Sequence, residues 1–480
     1  MSAPSLLFPL PTQSTGSIPN HVYGDLQMNA LFSPRFLKIL SRPCESETIL
    51  LRQGLFRLLE SPEYSEAFDR FSDALTDLEK TYRLYCAADT DLEKTFIYCD
   101  FLKKYRDGIS CIRPLKGCPV TDTLIDYWLD SGHLEAYRSM DACIGEMSAL
   151  LSETSVFHIS FAYQGYILKD NHDDTYLLKL SEYAKEAHFD VPQSALLNLP
   201  PNTALSASHE ILFKDAMTRC KCIINQYGTF EVQDLLSYIP EIQFYREMIE
   251  VLIRADEKRI PHCYPTPVSR RCYSADNSYD ITLMAQGVAH PVPNDIAFDE
   301  STTFYFLTGA NGGGKTTYLR AVGINLLLFL GGCPVFSTQA SVYPFKTVTT
   351  HFPSDEKTNG ISKFEDEVNR VEQLLNTADD QCFFLFNETF SSTDENLGCR
   401  LALDTAKRLR QSRSFALFVT HFHAVEMQSF PLLTATVDPA NENKRTFRIE
   451  RVGKEKQTPS HANDILKKYC LDADSLKKRN

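Results

Sequence analysis

The chain has 480 residues, with 49 Lys and Arg against 62 Asp and Glu, a formal net charge of -13. That length exceeds one ordinary domain and fits two or three, each able to bury its own core. The negative balance excludes capture of nucleic acid by overall attraction, so a DNA contact would need a local basic patch.

Residues 1–24 are rich in Pro, Ser, Thr and Gly and predict an extended arm. No basic stretch precedes the short run Ser5-Leu6-Leu7-Phe8, so no secretory leader is expected. Residues 25–260 predict a mainly α-helical domain. Phe68, Phe71, Leu75, Leu78, Tyr82 and Tyr85 recur at steps of three and four and lay one apolar stripe along a helix. Such a stripe faces the core of a bundle or, alternatively, a coiled-coil partner. Lys103, Lys104 and Arg106 form a small basic group, readable as phosphate contacts or as a solvated helix face. A second long helix is predicted from about Pro240 to Lys258, with Ile242, Tyr245, Ile249 and Leu252 on one face. Pro261, Pro265 and Pro267 cannot continue it, and the domain boundary is placed there. The 14 cysteines are scattered without paired CxxC motifs, and Cys220, Cys222, His262, Cys263 and Cys272 match no zinc spacing. A reduced, cytoplasmic protein is expected.

Residues 261–455 change texture to short apolar strands separated by helical stretches, the mark of an α/β domain with a largely parallel sheet. Its best central strands are Phe304–Leu307, Cys382–Phe386 and Phe415–Val419, each followed at once by polar residues. An open α/β sheet puts its ligands at those carboxyl ends. After the first strand, Gly309-Ala310-Asn311-Gly312-Gly313-Gly314-Lys315-Thr316 matches GxxxxGK[ST], and an apolar helix is expected to begin near Tyr318. Glycines there let successive backbone N–H groups surround phosphates, Lys315 reaches the β/γ oxygens, and the Thr316 hydroxyl suits magnesium. The cofactors expected are therefore ATP and Mg2+. The apolar run Ile324–Leu330 is far too short to span a bilayer, so no membrane partner is expected. Residues 456–480 predict a helical tail, and residues 451–480, with 8 Lys and Arg against 4 Asp and Glu, are the one clearly basic segment. Lys467, Lys468, Lys477, Lys478 and Arg479 join the candidate DNA contacts.

The stretch Thr308 to Arg320, including Thr317, resembles the TGPNMGGKSTYMR segment of the MutS mismatch-repair ATPases. His290-Pro291-Val292-Pro293-Asn294-Asp295 is similar to that family's adenine-side loop, and Gly360-Ile361-Ser362-Lys363-Phe364 with Glu367 to its signature loop G-x-S-x-F-x-x-E. Thr420-His421 resembles the TH switch, and Ser460-His461-Ala462 through Arg479 the C-terminal helix-turn-helix through which subunits pair. The resemblance covers roughly residues 260–480 and implies an α/β P-loop NTPase of the MutS/ABC type behind a mainly α-helical core or lever domain. Carried over by position, it implies that Glu388 orients or deprotonates the attacking water and that His421 senses the γ-phosphate or holds the water. It implies that Ser362 reaches the γ-phosphate of a second subunit, in a homodimer, and that Thr316 and Asn387 attend magnesium. Taken singly, Glu388 also reads as a helix cap, Ser362 as a helix start and His421 as a packed or exposed side chain.

Three departures shape the expected function. Asn387-Glu388 stands where the family has Asp-Glu, which takes a charge from the metal's surroundings and predicts weak magnesium binding and turnover. Pro291 stands where an aromatic usually stacks on adenine. Nothing near the N-terminus resembles the Phe-x-Glu mismatch wedge, and too few residues precede 261 for mismatch-binding, connector, lever and clamp domains together. The expectation is a MutS-like ATPase that couples ATP at a dimer interface to DNA or an unusual DNA structure, without standard mismatch recognition. The alternative is an ATP-gated scaffold for a protein partner, with little hydrolysis. An ABC transporter ATPase is disfavoured because no LSGGQ-like signature occurs.

Overall fold

In a computed structural model of the chain, the described residues are 3–10, 16–89, 91–129, 131–154, 157–162, 165–170, 213–228, 232–353, 363–422, 429–438 and 441–452. The expected tail 456–480, with its basic residues, lies outside them. The chain divides into two compact units, one of Met1–Leu6 with Leu58–Ile242, the other of Leu7–Arg57 with the described residues from Gln243 on.

In the first unit the apolar stripe lies on the helix Pro62–Ala87, where Phe68, Phe71, Leu75 and Leu78 are buried. Its last turns meet the helix Asp91–Ser110: Tyr82 lies 6.0 Å from Phe101, and Tyr85 5.5 Å from Tyr98, between ring centroids. The stripe faces a helical core, as one of the two readings of its spacing expected. Trp128 and Tyr238 are both buried, and the indole N–H donates to the Tyr238 hydroxyl at 3.2 Å, which satisfies two polar groups the core would otherwise strand. The unit also contains an antiparallel hairpin, β1 (Phe157–Ala162) with β2 (Gly165–Asp170), which the helical reading did not foresee. Of the basic group here, Lys104 pairs with Asp100 at 3.1 Å, and Arg106 with Asp107 at 2.9 Å and Asp141 at 3.0 Å.

The second unit contains, among the described residues, two sheets. The smaller has order β3 (Thr266–Pro267), β7 (Gln339–Val342), β4 (Tyr273–Ser278), β5 (Asn294–Phe298). The larger runs β12 (Asn441–Arg451), β11 (Leu432–Asp438), β6 (Phe304–Gly309), β10 (Phe415–Val419), β9 (Cys382–Asn387), β8 (Thr347–His351). β11, β6, β10, β9 and β8 are mutually parallel, and only β12 is antiparallel to its neighbour. β6 and β10 are buried throughout, which is why they read as unbroken apolar runs instead of alternating ones.

The helix Lys315–Leu330 follows β6 and is buried on every side from Ala321 to Leu330. It begins three residues before the apolar signal at Tyr318, because Lys315, Thr316 and Thr317 form a polar first turn. An all-round apolar helix needs cover on both faces. The described residues of 7–57, of which those from 25 on were expected with the helical domain, group with this unit, and Leu26, Leu40 and Arg52 among them meet that need. A methyl group at Gly323 would stand 2.7 Å from Leu385 Cδ1 on one side and 2.8 Å from Leu26 Cδ1 on the other. In the stretch expected as an extended arm, Ile18, Val22 and Tyr23 are buried, and His21–Asp25 is a short helix. Arg52 is fully buried: its Nε–H donates to Leu7 O and one Nη–H to Gly331 O, each at 2.7 Å, the latter at the carboxyl end of Lys315–Leu330. A cation there also meets the negative end of the helix dipole.

Candidate functional site at the carboxyl edge of the sheet

Parallel pairing brings the predicted residues to one edge. In register, Val419 lies opposite both Asn387 and Leu307, and His351 opposite Phe386, so the loops leaving β6, β8, β9 and β10 emerge side by side. Backbone bonds continue one step past the strands: Glu388 N–H donates to Val419 O and Thr420 N–H to Leu307 O, both at 2.9 Å.

The segment Gly309–Thr316 turns from β6 into the helix Lys315–Leu330. Gly309 has φ +120°, and a Cβ there would fall 2.9 Å from the Ala435 backbone on β11, so only glycine fits. Gly314, at the helix N-cap, has φ +93°. The Lys315 side chain folds back over the loop, where Nζ donates to Gly309 O at 2.8 Å, Ala310 O at 3.3 Å and Asn311 Oδ1 at 3.4 Å. Lys315 is 5% exposed, and no carboxylate lies within ion-pair distance of it among the described residues. Burial depresses its pKa, the Glu388 charge opposes that, and Arg445 reinforces it. A desolvated ammonium held by carbonyl oxygens at a helix N-terminus is a receptor for an anion.

Thr316 Oγ1 donates to Asn387 Oδ1 at 3.2 Å, which brings together the two residues expected to attend magnesium. Both are half-buried and offer neutral oxygen ligands, a set suited to a hard cation. Asn311 and Gly312 are exposed, whereas Ala310 and Gly313 are buried and Thr317 half-buried. Glu388 is half-buried, and His421 is exposed with its ring 4.7 Å from the buried Phe422. Ser362, with Gly360 and Ile361, lies outside the described residues. Glu367 is described: 3% exposed, it accepts from Phe390 N–H at 2.9 Å and from the Ser392 hydroxyl at 2.7 Å.

Two residues at this edge went unnoticed in the sequence. His351, at the end of β8, is buried with Nδ1 2.9 Å from Thr389 Oγ1. Burial, with help from the Arg370 and His21 charges, pushes its pKa down to about 3, so the imidazole is neutral. Phe447 on β12 is 47% exposed, and its ring lies 3.5 Å from where a Gly314 Cβ would stand. The expected adenine-side loop is tied to the same strand: Asn294 Nδ2 donates to Phe447 O at 3.0 Å, Ile449 N–H donates to Asn294 Oδ1 at 2.7 Å, and Arg448 donates to Pro293 O at 2.8 Å. Phe447 thus supplies an open aromatic face beside the loop, which Pro291 does not. A lone histidine in a Thr-rich strand and a phenylalanine in a charged one carry no signal in one sequence.

Residues 305–460 match the family model for MutS domain V. Endonuclease MutS2 of Streptococcus thermophilus is 30% identical over 167 residues, 33% of this chain and 21% of that protein. The MutS2 of Streptococcus mutans is 28% identical over 156 residues, 32% and 20% of the two chains. That of Streptococcus agalactiae is 30% identical over 171 residues, 34% and 22%. The chain spans about a fifth of the length of these curated relatives. Among the described residues, no helix is long and apolar enough to cross a membrane.

Proposed function

We propose that this chain, a member of the MutS family by its domain over residues 305–460, is an ATPase that binds ATP with magnesium at Gly309–Thr316. The observation that carries this reading is Lys315, a buried ammonium with carbonyl partners and no counter-ion within reach among the described residues. Thr316 and Asn387 would hold the magnesium, which when bound would supply positive charge to offset that of the phosphates. Glu388 takes the proton of the attacking water, and His421 orients the γ-phosphate side. Ser362 completes the site of a second copy, so the working form is a homodimer that couples nucleotide state to DNA binding.

Sedimentation with and without a slowly hydrolysed ATP analogue tests the dimer, and titration of homoduplex, mismatched and branched DNA at two salt concentrations tests the ligand. The expected result is more dimer with nucleotide, and DNA binding that ignores mismatches. With roughly four phosphate contacts, affinity should fall about a hundred-fold between 50 and 200 mM salt. Tight, mismatch-selective binding would overturn the reading, and no binding to any DNA at low salt would move it to a scaffold for a protein partner.

One observation favours that second reading. At the end of β9 the magnesium side is lined by the Asn387 amide in place of a carboxylate, which limits turnover by weakening the metal's surroundings. Asn387→Asp is expected to tighten magnesium dependence and raise turnover by roughly ten-fold, the equivalent of about 1.4 kcal/mol. Unchanged magnesium titration and turnover would remove the brake from the account.

A further inference from the structure

The turn after β9 is backbone-strained. Glu388 has φ +50° and Phe390 φ +66°, two non-glycine residues in the left-handed region within three positions. That conformation crowds the Cβ against the backbone, and it persists only when its surroundings over-determine it. Those surroundings include two side chains, those of His351 and Glu367, to which the proposed chemistry assigns no part.

On one side, Thr389 is fully buried between the two strained residues, and its hydroxyl is hydrogen-bonded to His351 Nδ1 at 2.9 Å. His351 Nε2 is buried with no hydrogen-bond partner among the described residues, so Thr389 is the contact that orients the ring. On the other side, Glu367 on the helix Lys363–Asn376 spends both carboxylate oxygens on the same turn, one on Phe390 N–H and one on the Ser392 hydroxyl. The Phe390 ring is itself 2% exposed and packed in the core under β9 and β10. The turn is therefore gripped at residues 389, 390 and 392, while the side chains of Glu388 and Ser391 make no hydrogen bond among the described residues.

We propose that Glu367 and His351 are positioning residues for ATP hydrolysis: they clamp the turn Glu388–Phe390 in its left-handed form so that the Glu388 carboxylate is presented to the attacking water. The inference rests on Glu388 being the base. A misplacement of about 1 Å costs on the order of a hundred-fold in rate, while nucleotide binding, made by the separate loop Gly309–Thr316, is untouched.

The test measures nucleotide affinity and single-turnover hydrolysis separately, in Glu367→Ala, Glu367→Gln, His351→Leu and His351→Asn, with thermal melts alongside. Glu367→Ala and His351→Leu are expected to keep affinity within about three-fold and to lose roughly ten- to a hundred-fold in the hydrolytic step. Glu367→Gln and His351→Asn, which keep a hydrogen-bonding atom where the turn needs one, are expected to recover most of it. Should a truncation fail to fold, Thr389→Val, which deletes only the hydroxyl that His351 holds, carries the same expected rate loss. Glu388→Gln separates the two levels. If it hydrolyses like the wild type, the base assignment falls and the clamp with it. If it is slow while the Glu367 and His351 truncations are fast, the clamp alone is overturned. If the losses in Glu367→Ala and Glu388→Gln multiply in the double variant, Glu367 does not act through Glu388, and the clamp is overturned as well; a double variant no slower than Glu388→Gln supports it.

Discussion

Lys315→Ala is expected to remove ATP binding while the fold stands. The Lys315 ammonium lies over Gly309–Thr316, and on the proposed reading its donors would exchange the carbonyls of Gly309 and Ala310 for phosphate oxygens when ATP binds. Hydrogen bonds to charged groups contribute about 1.5–3 kcal/mol each, so two of them correspond to a loss of roughly a hundred-fold to ten-thousand-fold in affinity. The fold loses less. Alanine is the best helix former for the first turn of Lys315–Leu330, and the substitution also removes a desolvated charge whose pKa burial already depresses. Gly309 O loses the Lys315 donor, at about 1–3 kcal/mol when buried or a few degrees of melting temperature per kcal/mol, whereas Ala310 O keeps the Gly313 N–H at 3.1 Å. Calorimetric titration with ATP beside a thermal melt checks both halves. A folded variant with unchanged ATP affinity would remove the loop from the account.

Glu388→Gln is expected to separate binding from turnover. The substitution keeps the shape of a half-buried side chain and removes only its capacity to take a proton. General-base catalysis contributes about a hundred-fold to ten-thousand-fold, and that is the expected loss in steady-state phosphate release. ATP affinity should hold or rise slightly, because the carboxylate no longer repels the γ-phosphate. Equal turnover in the two proteins would exclude Glu388 as the base.

Much of this site could be read from one sequence because its parts are local. A strand buried on both faces must be an apolar run, so β6, β9 and β10 stood out, and the polar residues after each run fell at one edge once the strands paired in parallel. The glycine loop was legible because close phosphate approach demands glycine at set spacings. What could not be read is tertiary. Nothing local in Leu26, Leu40 or Arg52 says that they cover the helix Lys315–Leu330, because the need for cover arises only once that helix leaves one face off the sheet. The positive φ of Glu388 and Phe390 leaves no trace in residue types that ordinarily avoid it, and the grip of His351 and Glu367 on that turn joins segments far apart in sequence.

The enclosure of Lys315–Leu330 has a mechanical meaning. Sixteen residues at about 1.5 Å rise make a rod of roughly 24 Å, enclosed on every side over Ala321 to Leu330. Phosphates would sit at its amino end, and Arg52 grips the carbonyl of Gly331 just beyond its carboxyl end. One guanidinium thus joins the carboxyl end of this rod to the backbone at Leu7, and a tilt of the rod as a whole would have to move both carbonyls or break one of the two bonds.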